Sequence, residues 1–127
     1  MSVIAVERVG RAGQMSPLHV HDREETLRVL EGTLVLHAGG ETRTLGAGDS
    51  TVAPAGVAHA LRVASPVARY VVTTRAEAPG RYEDFLRAVA LPAALDEGET
   101  AALAVLGEPN GIAVLGPPGA LPPSPGR

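Results

Sequence analysis

Four side chains in the first half of the chain are of the types that hold a metal ion. His19 and His21 stand two apart in an expected strand, so both imidazoles project from one face. Glu25 follows within the next turn or strand start and reaches the same point. His59 lies on a distant expected strand, just past the turn Pro54-Ala55-Gly56. Neutral imidazole nitrogens with a carboxylate oxygen suit a borderline divalent ion such as Fe(II), Mn, Ni, Co or Zn, and the donor types do not choose among them. Burying three imidazoles and a carboxylate together without a cation is costly, because each group then needs its own partner.

Such a set must be carried by elements that converge. Up to residue 78 the chain reads as short β-branched or alternating segments between closely spaced turn signals, the pattern of an all-β sandwich or barrel. The expected strands are Val3–Val9, Pro17–His21, Thr26–Leu30, Thr33–His37, Glu41–Leu45, Ser50–Ala53, Ala58–Ala64 and Val67–Thr74. About eight strands on this spacing suit a small barrel or jelly roll, whose closure removes exposed edges. Beyond residue 78 the period changes. Tyr82, Phe85, Leu86 and Val89 define one face of an amphipathic helix that ends at Pro92, and a second helix is expected from Asp96 to Gly107. Gly111–Leu115 reads as a short strand or extended arm. The expected organisation is therefore a barrel over 1–78, a helical extension over 79–115 packed on it, and a flexible Pro/Gly-rich tail over 116–127.

Composition narrows the function classes. The chain has 127 residues, 11 basic against 14 acidic side chains and a net charge of -3. That lacks the electrostatic footprint of a nucleic-acid binder, and an aromatic content of 2% removes the stacking platform single strands require. The absence of cysteine excludes disulfides, thiolate metal sites and a cysteine nucleophile. No apolar run approaches the ~20 residues of a membrane helix. Glu7 interrupts the segment where a signal peptide would be hydrophobic, so a cytoplasmic location is expected.

The fuller spacing is Gly13-x5-His19-x-His21-x3-Glu25-x6-Gly32, followed by Gly48-x5-Pro54-x-Gly56-x2-His59. It resembles the two motifs of the cupin superfamily at every signature position but one: Val63 stands where the family pattern has Asn. The arm and the following Gly116-Pro117-Pro118 are similar to small bacterial monocupins described as quercetin-dioxygenase-like. The resemblance implies a double-stranded β-helix with one divalent transition metal in the barrel mouth, held by His19, His21, Glu25 and His59. It also implies a homodimer formed through sheet edges.

Alternation then predicts the surroundings of the site. With Glu25 inward, Leu27 and Val29 face in as well; with His59 inward, so do Leu61 and Val63; Met15 shares the His19/His21 face. The expected pocket is aliphatic, with no Lys, Arg or Tyr beside the donors, which argues against a sugar-phosphate isomerase. Glu24 and His37 read as surface groups, and Glu25 is the one candidate general base. The expected function is metal-dependent, dioxygenase-type oxidation of a small apolar or aromatic compound. A metal-dependent cyclase or isomerase of secondary metabolism and a non-catalytic small-ligand-binding protein are the alternatives.

Overall fold

The structure, a computed structural model, describes residues 2–76, 105, 107, 108, 111–117 and 119–122. Its strands are β1 (Ser2–Arg11), β2 (Leu18–His21), β3 (Glu25–Glu31), β4 (Leu34–Ala38), β5 (Glu41–Leu45), β6 (Ser50–Ala53), β7 (His59–Val63), β8 (Val67–Ala76) and β9 (Ile112–Gly116). Each expected strand is present, with ends shifted by no more than two residues. The helices expected around Tyr82–Val89 and from Asp96 lie outside the described residues, apart from isolated positions.

Two antiparallel sheets form, in the orders β1-β8-β3-β6 and β5-β4-β7-β2-β9. This is the double-stranded β-helix: apart from the β4–β5 hairpin, successive strands up to β8 step between the sheets, so residues far apart in sequence become neighbours. Alternation fills the space between them. Leu27 and Val29 from β3, Ala68, Tyr70 and Val72 from β8, Leu34 and Leu36 from β4, Leu45 from β5, and Leu61 and Val63 from β7 make one buried cluster. Two devices hold the sheets in place. At the crossing from β3 to β4, Gly32 adopts φ +81°, and a Cβ there would run into the backbone carbonyl of Val67. Along the seam between the edge strands β5 and β6, Arg43 Nη1 donates to Thr51 Oγ1 at 2.9 Å.

The arm expected at the end of the extension pairs into the second sheet. β9 pairs antiparallel with β2, placing Val114 opposite His19 and Ile112 opposite His21. Its entry is fixed by Gly111, whose carbonyl accepts from the Asp22 N–H at 2.9 Å and whose missing side chain leaves room for the Asp22 carboxylate. No helix among the described residues is long and apolar enough to cross a membrane.

Candidate metal centre

The convergence of the donors follows from strand order. β2 and β7 are neighbours, and His19 lies directly opposite His59, with ring centroids 4.2 Å apart. His21, two residues on and on the same face, has its ring 4.9 Å from that of His19 and 5.1 Å from that of His59. One ring nitrogen from each of the three lies within 4.8 Å of the others. Glu25 comes from the facing sheet, and its Oε2 is 3.4 Å from His21 Nε2. His21, Glu25 and His59 are buried and His19 is half-buried.

Hydrogen bonds aim two of the rings. The Nδ1 of His19 is 2.7 Å from the Pro17 carbonyl oxygen, and the Nδ1 of His59 is 3.1 Å from that of Val57. A carbonyl only accepts, so each Nδ1 carries the hydrogen and each Nε2 presents a lone pair. The His59 Nε2 is buried and has no hydrogen-bond partner among the described residues. Such a nitrogen is costly unless something electron-poor meets it.

The local field keeps His19 and His21 neutral. Burial holds the pKa of His19 well below the ordinary histidine value, the proximity of His59 and His21 adds to this, and the Pro17 carbonyl opposes it. His21 is pushed down to about 3, by burial first and then by His59. The contact with Glu25, taken alone, would favour a charged imidazolium; burial outweighs it, so the contact is not an ion pair. Neutral nitrogens are what a metal ion requires. Two donors each about 2.1 Å from a shared ion at the tetrahedral angle stand about 3.4 Å apart, the separation of His21 and Glu25. The residues fit a divalent ion.

The remaining expected positions divide. Leu27, Val29, Leu61 and Val63 are fully or nearly fully buried in the packed cluster, while Met15 is half-buried and bridges to Arg62. Val63, in place of the family's Asn, packs its side chain in the apolar interior; its N–H donates to the Gln14 carbonyl and its carbonyl accepts from the Gly13 N–H. Glu24 is exposed, and the half-buried His37 lies 3.0 Å from Thr42 Oγ1.

Sequence reasoning missed two features of the surroundings. Ile112 and Val114 stand beside the ligand strand, a placement that depends on β9 choosing β2 as its neighbour. An arginine and a tyrosine also face the interior: Arg8 on β1 and Tyr70 on β8, paired across the sheet. The sequence reading concerned the residues beside the donors and did not anticipate this pair. Alternation along β1 (Ile4, Val6, Arg8) and β8 (Ala68, Tyr70, Val72) carries that signal.

Known proteins share this fold. DMSP lyase DddQ from Ruegeria pomeroyi has a TM-score of 0.55 and 31% identity, over 60% of this chain and 39% of that one. TT1209 from Thermus thermophilus has a TM-score of 0.52 and 31% identity, over 57% of this chain and 70% of that one. Oxalate decarboxylase from Bacillus subtilis, a protein with Mn(II) centres, has a TM-score of 0.53 over 57% of this chain and 20% of that one; at 19% identity the likeness is one of fold. The chain thus spans well under half of the length of two of these three proteins. No curated protein matches it. Residues 7–73, which carry three of the nine-strand fold's donors on β2 and β7 and the fourth on β3, match the family described as Cupin domain, and the chain belongs to the cupin family.

Proposed function

We propose that this cupin is a mononuclear metal-dependent enzyme acting on a small molecule in the barrel mouth, with dioxygenase-type oxidation as its reaction. The observation that carries the reading is the convergence of three buried or half-buried imidazoles, two with Nε2 freed by backbone carbonyls, with a carboxylate from the opposite sheet 3.4 Å from His21. His19, His21 and His59 hold the ion and Glu25 is the fourth ligand. When bound, the ion supplies Lewis acidity and, if redox-active, electron transfer to O₂.

The chain's own groups do the rest. The Pro17 and Val57 carbonyls fix the ring orientations, so little reorganisation accompanies loading. Glu25, 3.4 Å from His21 and carried by the other sheet, leaves the set and takes a proton from the substrate. That placement also favours a second reading, in which proton transfer by Glu25 drives a cyclisation or isomerisation without O₂. Pairing of two copies through sheet edges belongs to the proposal: β1 is an edge strand of ten residues with Val3 and Val9 exposed.

Metal analysis of the purified chain, followed by titration with Fe(II), Mn, Ni, Co and Zn, tests the reading. One equivalent of ion per chain is expected, with O₂ consumption by the Fe(II) form when flavonols or other enolisable aromatics are added. A chain that takes up none of the five ions overturns it; uptake without O₂ consumption but with conversion of substrate moves it to the second reading.

A further inference from the structure

The loop between β2 and β3 carries a metal donor at each end, His21 before it and Glu25 after it, and the two ends are held in different ways. Backbone groups hold the His21 end: the Gly56 N–H donates to the His21 carbonyl at 2.9 Å, and the Asp22 N–H donates to the Gly111 carbonyl at 2.9 Å. In the middle, the Arg23 guanidinium donates to the Arg75 carbonyl at 3.0 Å. A side chain holds the Glu25 end. The Thr74 hydroxyl, on β8, donates to the Glu24 carbonyl at 2.8 Å. That carbonyl belongs to the peptide joining Glu24 to Glu25. Because the peptide is planar, fixing its oxygen fixes the direction in which the Glu25 Cα leaves it.

Place and residue type both single out this hydroxyl. The ladder between β3 and β8 begins at Thr26 opposite Thr73, so Thr74 stands one step further along, level with Glu25. On its other side Glu25 is paired with Ala53, which is buried. The inward row of β8 runs Ala68, Tyr70, Val72 and Thr74, and Thr74 is buried with the rest. Threonine has the shape of valine, so the hydroxyl is what it adds to this row, and a buried hydroxyl needs a partner. We propose that Thr74 is a positioning residue for the metal centre: it holds the Glu24–Glu25 peptide so that the Glu25 carboxylate stays within reach of the ion. The inference rests on the preceding reading of Glu25 as the fourth ligand. With the peptide fixed, Glu25 joins and leaves the donor set by rotating its side chain, and the strand that carries Leu27 and Val29 into the core does not move.

Titration with Co(II) in a double-mutant cycle tests this, with wild type, Thr74→Val, Glu25→Gln and the double variant each followed by the visible spectrum of the bound ion. Thr74→Val is expected to weaken Co(II) binding about ten-fold and to shift the spectrum toward that of Glu25→Gln, whereas Thr74→Ser keeps the wild-type affinity and spectrum. In the Glu25→Gln background the valine substitution is expected to weaken binding by no more than about two-fold, because Thr74 acts through Glu25. Thr74→Ala carries the comparison if the valine variant does not fold. Unaltered affinity and spectrum in Thr74→Val, beside a loss in Glu25→Gln, overturn this proposal alone. So does an equal loss with and without the Glu25 carboxylate, which would make Thr74 a brace between strands and nothing more. Failure of the wild type to bind Co(II), or the absence of any loss in Glu25→Gln, overturns the preceding reading of the ligand set and this one with it.

Discussion

The interior of this barrel has two ends built by one rule and put to opposite uses. At one end, inward positions on β2, β3 and β7 hold His19, His21, Glu25 and His59; further along β3 and β7 the same faces hold Leu27, Val29, Leu61 and Val63. Along β7 the change happens within a single strand, from His59 at 2% exposure to Val63 at 1%. Both ends are buried, yet burial stabilises only one of them. Apolar side chains gain from leaving water, whereas three imidazoles and a carboxylate lose hydration and depend on an ion to restore it. The packed end therefore holds the sheets together tightly enough for the other end to keep polar groups under strain of desolvation.

That division can be tested variant by variant. The largest effect is expected from His59→Leu: stoichiometric metal uptake is abolished, while denaturant unfolding of the metal-free chain shows stability maintained or increased, since a buried nitrogen with no hydrogen-bond partner among the described residues is gone. Loss of stability comparable to that of a core variant would show instead that the histidines belong to the packing. Next comes Leu34→Ala, fully buried at the other end, which should cost about 2–5 kcal/mol in unfolding free energy and leave one equivalent of metal bound to the folded protein.

A smaller effect separates the ends by pH. In the metal-free chain the folded state keeps His21 neutral down to about pH 3, whereas unfolded histidine protonates near pH 6.5. Between these values the unfolded state binds more protons, so stability is full above about pH 6.5 and falls as pH drops toward 3. The limiting slope is about 1.4 kcal/mol per pH unit for each such histidine, and His19 acts in the same direction. Urea midpoints at several pH values measure it, and a His21→Leu variant should show a shallower slope. A flat profile in the wild type would mean that folding leaves the pKa values of His19 and His21 unshifted.

Much of this molecule was legible from local pattern. Strand ends were readable because Gly and Pro punctuate the chain, as at Gly32, where only a residue without Cβ clears the Val67 carbonyl. The same-face relation of His19 and His21 is a consequence of a two-residue period and needs no tertiary information. Partner choice was not readable. Nothing local says that β9 adds to β2 and walls the site with Ile112 and Val114, because an apolar five-residue strand suits any open edge. Arg8 and Tyr70 escaped for a related reason: their types suggest a surface arginine and a packing aromatic, and only the register of β1 on β8 places them side by side within the barrel.

The sequence by itself determined the donor types, their faces and the alternation that would bury them, because side-chain direction in a strand is a local property. Tertiary structure alone decided which faces meet. It set His19 against His59 across neighbouring strands, brought Glu25 from the opposite sheet and laid the final strand alongside, since the pairing of distant strands depends on the sum of all contacts in the closed barrel and not on any one segment.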